Sequence, residues 1–141
     1  MPRIIFDIET VGVEFDSLDE KSKETLLRYA ESNEEIEAVK EGLGFSPLTG
    51  EVVAIGILNP DTDKGAVYFN SQNKHSETIA EEDAQYIPCA SEKDILKSFW
   101  DVASHYDQFV TFNGRTFDCP YILVRSAIHK IKPTKNLMPN R

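Results

Sequence analysis

Apolar positions along this chain fall into blocks of two periods, and the order of the blocks outlines the architecture. Residues 3–8 (Arg-Ile-Ile-Phe-Asp-Ile) are rich in β-branched and aromatic side chains and predict a buried strand. The polar stretch from Asp16 to Gly42 places Leu26, Leu27, Ala30, Ile36 and Val39 as its apolar positions and favours helix. Ser32-Asn33 predicts a break into two helices, and Gly42 and Gly44 a stop. Val52 to Leu58 is almost continuously apolar and predicts a second strand over 51–58. Asn59-Pro60-Asp61 then supplies turn chemistry, and 65–70 a third strand that closes a hairpin. Residues 71–90 are polar without a period and read as a mobile loop. Ser91 with Asp94 resembles a capping box, and Ile95, Phe99, Val102 and Tyr106 follow at helical spacing. A fourth strand is expected over 108–112. A last helix begins near Asp118–Pro120, because Pro is tolerated in a first turn, with Tyr121, Val124 and Ile128 on its apolar face. From Pro133 onward the tail reads as irregular. The order β-(helical insert)-ββ-α-β-α predicts an α/β fold, a mixed sheet with flanking helices.

Length and composition narrow this picture. A chain of 141 residues fits one domain over 1–141, with the helical insert at about 16–43. No apolar run approaches the roughly 20 residues that span a bilayer, so no membrane partner is expected. The N-terminus lacks the charged-then-apolar-then-small order of a signal peptide. The two cysteines, Cys89 and Cys119, make neither a disulfide framework nor a CxxC metal spacing, and a cytoplasmic location with reduced thiols is expected. A net charge of −9 argues against a protein that coats a long duplex. The charge is uneven: residues 14–41 hold ten acids against four bases, whereas 115–141 hold six bases against the single acid Asp118. An enzyme that grips a few terminal nucleotides through metal ions tolerates such a body.

Two segments carry candidate chemistry. Phe-Asp-Ile-Glu-Thr at 6–10 places Asp7 and Glu9 on one face of the first strand, since side chains alternate along a strand. Two like charges side by side in an otherwise apolar strand are costly without a cation. Oxygen-only ligands suit Mg²⁺ or Mn²⁺ rather than zinc. Two such ions about 4 Å apart can activate a water and stabilise the leaving oxygen of a phosphodiester. Exposed acids at a strand end are the plainer explanation, and a lone Asp-x-Glu is common. The second segment is Asn-Gly-Arg-Thr-Phe-Asp-Cys-Pro-Tyr-Ile at 113–122. Asn113-Gly114 is expected to turn, with Gly supplying a positive φ, and Asp118 to cap the helix that Pro120 helps to start. The strand over Phe109 to Phe112 is the natural neighbour of the first, which would bring Asp118 toward Asp7 and Glu9.

Taken together, the two segments resemble the first and second exonuclease motifs of the DEDD, proofreading-type 3′–5′ exonucleases, which have a ribonuclease H-like fold. Their spelling resembles most the exonuclease domain of family-B DNA polymerases and the stand-alone predicted exonucleases related to it, over residue 3 to about 130. The resemblance implies a metal-dependent hydrolase acting at the 3′ end of single-stranded nucleic acid, DNA more than RNA, by a two-metal-ion mechanism. By it, Asp7 would bridge both Mg²⁺ or Mn²⁺ ions, Glu9 would ligate the water-activating ion, and Asp118 would hold the second. Thr10 and Val11 would lie near the terminal nucleotide, and Asn113 and Phe117 would line the strand-binding cleft. Arg115 would be a solvated turn residue, and an aromatic such as Phe117 at the foot of a helix is more often core than stacking platform.

The family pattern continues with a third motif, a Tyr or His base and an Asp one helical turn on. None of the 23 residues after Asp118 is Asp or Glu. His75, His105 and His129 are assigned no catalytic role. The expectation is therefore a C-terminally truncated ribonuclease H-like domain without its final strand and helix, inactive as it stands. Self-association is expected through the apolar surface that truncation exposes. The rival expectation is a non-catalytic ribonuclease H-like module that binds nucleic acid or protein. In either case the acidic insert reads as a solvated helical face rather than an interface.

Overall fold

The computed structural model describes residues 1–73 and 76–140. Among them, four α-helices and two short 3₁₀ turns accompany six strands that form one mixed sheet. The strands are β1 (Arg3–Gly12), β2 (Gly50–Asn59), β3 (Lys64–Asn70), β4 (Ile79–Glu81), β5 (Ala84–Cys89) and β6 (Gln108–Val110). The helices are α1 (Glu20–Leu26), α2 (Asn33–Glu41), α3 (Glu92–Ala103) and α4 (Asp118–Ile128). The sheet order is β4-β5-β3-β2-β1-β6. The β2–β3 hairpin forms as expected, with Ile55 opposite Tyr68 and Ile57 opposite Ala66.

One expectation is corrected. Residues 71–90 are no loop throughout: β4 and β5 form an antiparallel hairpin, and β5 pairs parallel with β3. The segment Ala-Gln-Tyr-Ile-Pro-Cys shows no alternating apolar period, and β5 buries only Cys89 fully. The backbone ladder to β3, rather than an apolar period, makes it a strand. Lys74 and His75 lie outside the described residues.

The chain divides into two compact units, Thr10–Glu51 and the remainder, Met1–Glu9 with Val52–Arg141. In the larger unit, alternation along β1 sends Ile4, Phe6 and Ile8 into the interior. They join Val52, Ile55, Ile95, Leu96, Phe99, Trp100, Tyr121 and Ile122, all nearly inaccessible to solvent. Phe99 meets the rings of Phe6 and Trp100 edge-on, each at 5.1 Å. The Ser91 hydroxyl caps α3 by accepting from the Asp94 amide, as its sequence predicts. On α4 the inward face is carried by Cys119, Ile122 and Ser126 along with Tyr121, whereas Ile128 is half exposed. Ser126 is drawn inward because its hydroxyl accepts from the Trp100 indole N–H at 2.9 Å.

A buried ionic clip joins α3, α4 and β2. Glu92, 4% exposed, accepts from the Arg125 guanidinium at 2.6 Å, from the Val52 amide at 2.6 Å and from the His129 imidazole. Burial alone would raise its pKa, but these donors outweigh burial and hold it below the usual carboxylate range. The irregular tail is anchored too: Leu137 is buried in the core, and the Thr134 hydroxyl donates to the Trp100 carbonyl.

The smaller unit holds α1 and α2, which bury no residue fully. Each has a side-chain cap, from Asp19 and Ser32, and Lys23 and Lys40 both lie over the Phe15 ring. The expected break at Ser32-Asn33 is the start of α2. Leu43 is buried, and Gly12 packs so closely on Gly44 that a Cβ on either would lie within 3 Å of the other's backbone nitrogen.

Candidate active site

Asp7 and Glu9 project from the exposed side of β1, two residues apart, while Phe6 and Ile8 fill the opposite face. β6 runs parallel to β1, with Ile4 opposite Phe109 and Ile5 opposite Val110. The two strands therefore point the same way, and the turn leaving β6 emerges at the end of the sheet toward which β1 runs on through Asp7 and Glu9.

That turn aims Asp118. Asn113 takes the left-handed conformation at φ 57°, and its carbonyl accepts from the Thr116 and Phe117 amides. The expectation that glycine supplies the positive φ is thus corrected: no glycine does, and Asn tolerates this region. Gly114 is needed for space instead, because a Cβ there would lie 1.9 Å from the Thr111 hydroxyl oxygen. Its carbonyl accepts from the Cys119 amide at 2.7 Å and starts the helix. Asp118 is the first residue of α4 rather than its cap; Phe117 holds the cap position and makes no side-chain cap bond.

Asp118 is 2% exposed, and its pKa is raised from 3.8 to about 6. Burial is the larger cause, and the Asp7 carboxylate the second. A helix N-terminus favours an ionised acid by about 0.3–1 kcal/mol. A rise of this size corresponds to about 3 kcal/mol in the other direction, so burial and Asp7 prevail. A cation between the two carboxyls would relieve both causes at once. The oxygen donors and their unrelieved charge therefore fit a hard divalent ion.

The remaining candidates are placed as follows. Glu9 is exposed on the Asp7 side of β1, and among the described residues no three His, Cys, Asp or Glu side chains converge as a metal site. The structure thus couples Asp7 with Asp118 but does not gather all three acids into a closed cluster. Phe117 packs on Tyr121, ring centres 5.4 Å apart, at the edge of the core. Asn113 is exposed, and its side-chain oxygen accepts from the Thr116 hydroxyl. The Thr10 hydroxyl donates to the Gly44 carbonyl at 2.8 Å, and Val11 is 46% exposed; both belong to the Thr10–Glu51 unit. Arg115 donates to the Pro139 carbonyl in the tail. His105 is exposed, His129 serves the Glu92 clip, and His75 lies outside the described residues. Sequence reasoning missed Thr111, whose packing on Gly114 sets the turn. The Asn-Gly pair signals a turn, but nothing in the sequence marks the residue it closes on.

Residues 49–138 match the model of the predicted 3′–5′ exonucleases related to the exonuclease domain of PolB. The chain belongs to this family. No curated protein matches it. The span covered by the PolB-related exonuclease family includes Asn113, Phe117 and Asp118, whereas Phe-Asp-Ile-Glu-Thr at 6–10 lies outside it. The mixed six-stranded sheet with its helices is consistent with the ribonuclease H-like fold of such an exonuclease. Among the described residues no helix is long and apolar enough to cross a membrane.

Proposed function

We propose that this domain serves 3′–5′ exonucleolysis of single-stranded nucleic acid, DNA more than RNA, with Asp7, Glu9 and Asp118 as ligands for two Mg²⁺ or Mn²⁺ ions. The observation that carries this reading is the Asp7–Asp118 pair: Asp118, buried at the start of α4, follows the strand that runs parallel to β1, and the Asp7 carboxylate disfavours its ionised form. Bound ions would supply a hydroxide-like nucleophile and neutralise the leaving oxygen. The chain's own residues do the rest. The β1–β6 pairing of Arg3–Ile5 with Gln108–Val110 sets the two strand ends side by side ahead of Asp7 and the turn, and hydrogen bonds from the Thr116 hydroxyl to Asn113 brace that turn before α4. Burial around Asp118 keeps water from competing for its oxygens. An acidic body suits this reading only where substrate phosphates are held through metal, since the chain's net charge repels them.

The test has two readouts. Mn²⁺ binding, followed by calorimetry, is expected for the wild-type chain and to be lost in Asp7→Asn and Asp118→Asn. Shortening of a 5′-labelled single strand from its 3′ end is expected to need the divalent ion and both acids wherever activity is present. Failure of the wild-type chain to bind Mn²⁺ would overturn the ligand assignment and favour a non-catalytic binding module of the same fold.

A further inference from the structure

The face of the sheet that carries Asp7 holds an open groove of about 520 Å³, lined by residues of the larger unit alone. Its floor follows the strand registers. Gly56 pairs with Val67, and Leu58 pairs with Gly65, which pairs with Ala84; Tyr86, opposite Val67 on β5, lies just outside the lining. Ile5 and Asp7 of β1 line the groove as well. Its wall is the turn between β4 and β5, tied down where the Gly65 amide donates to the Asp83 carbonyl at 3.0 Å.

Two glycines in this floor differ in what they answer to. A Cβ on Gly65 would meet the Ile57 carbonyl oxygen at 2.5 Å, so the fold itself demands glycine there. A Cβ on Gly56 would meet nothing within 4 Å, and its φ is not positive. A glycine in mid-strand weakens the strand and often marks a bulge, a bend or a place where a ligand or another backbone approaches closely. Among the described residues nothing comes within 4 Å of that position. Leu58 and Tyr86, on the same face, are 38% and 37% exposed.

The rim decides what the approaching group is. Asp63, Glu81, Glu82 and Asp83 line the groove, Asp63 and Glu82 at turn tips with φ of 55° and 50°. Among the described residues no Lys, Arg or His lines it. A phosphate backbone is repelled by such a rim, and an anionic segment likewise. An apolar floor with small residues, flanked by carboxylates, is complementary to a helix that carries an apolar stripe between Lys and Arg residues.

We propose that this groove docks a cationic amphipathic helix of a partner protein, its backbone passing over Gly56 and its basic side chains reaching Asp63 and Glu81–Asp83. The seat ends at Asp7, so the partner would be held beside the proposed nuclease carboxylates without using them. The docking does not depend on the metal-site reading, since it needs neither ion nor activity.

The test uses the full chain and a labelled Leu/Lys amphipathic helical peptide of about four turns, with a Leu/Glu peptide of the same pattern and an oligothymidylate as comparators. The Leu/Lys peptide is expected to bind at least about tenfold more tightly than the Leu/Glu peptide and to shift the methyl resonances of Ile5, Leu58 and Val67. Gly56→Leu fills the groove from a position where a Cβ meets nothing within 4 Å, and is expected to abolish binding with the circular dichroism unchanged. The double charge reversal Glu81→Lys/Asp83→Lys, on exposed side chains, is expected to do the same should Gly56→Leu fail to fold. Equal binding of both peptides, absence of binding, or full binding by a folded Gly56→Leu would each overturn the proposal. So would methyl shifts on adding the oligothymidylate, which would give the groove to nucleic acid. A concentration-dependent dimer lost in Gly56→Leu would give it to a second copy and overturn the proposal as well.

Discussion

Asp118 is buried beside a second carboxylate, and its titration can be read from outside. Its folded pKa, about 6, lies above the ordinary 3.8, so the folded chain holds more protons than the unfolded chain between those values. Stability of the metal-free protein should therefore fall as pH rises through that window, and Mn²⁺ should reverse the fall. Asp118→Asn should flatten the pH dependence and raise metal-free stability at neutral pH by on the order of 1–3 kcal/mol. Thermal melts from pH 4 to pH 8, with and without Mn²⁺, would check both; an unchanged slope in Asp118→Asn would remove Asp118 as the source. Gly114 makes a steric prediction. Gly114→Ala places a methyl against the Thr111 side chain and should cost about 2–4 kcal/mol, part of it recovered in the double variant with Thr111→Ala. The residues Asn113 to Asp118 could be read from the sequence as a turn leading into a helix. Which of them took the positive φ, and why Gly114 had to be glycine, depended on a neighbour the sequence does not mark.

At the scale of elements, α3, α4 and β2 are joined by the Glu92 clip. Removing one partner of a buried ion pair strands the other, typically at 3–5 kcal/mol. Glu92→Gln should lose about 2–4 kcal/mol in urea melts, because the partly buried Arg125 charge loses the Glu92 carboxylate that faces it at 2.6 Å. Since the folded pKa of Glu92 is depressed, its contribution is present above the ordinary value of 4.5 and disappears as pH falls through the lower folded value. A loss in Glu92→Gln no larger than that of an exposed Glu→Gln change would count against the clip. β1, β2, β3, α3 and α4 were legible because each combines an apolar run or period with a stop or cap. The β4–β5 hairpin was not, because five of the six residues of β5 are only partly buried or exposed and its ladder to β3 is made by backbone. Periodicity reports burial, and a strand held by hydrogen bonds along a sheet edge leaves little of it.

For the whole molecule, charge sets how a nucleic acid would be gripped. With a net charge of −9, and with substrate phosphates held through metal ions, few counterions are released on binding. The logarithm of single-strand affinity against the logarithm of salt, measured in Mn²⁺, should have a slope of magnitude about 1–2. A slope several times steeper would point to a basic groove that the reading does not contain. The sequence by itself determined the α/β class, the strand carrying Asp7 and Glu9, the helix opened by Asp118 and the family resemblance. All of these rest on local spacing and residue type, which a linear chain displays directly. Only the tertiary structure decided that β6 lies parallel against β1, that Asp118 is buried within electrostatic reach of Asp7, and that Gly56 floors an open acidic-rimmed groove. Those are properties of pairs and surfaces formed by residues far apart in the chain, where burial and Coulomb interaction depend on distance in space rather than on position in sequence.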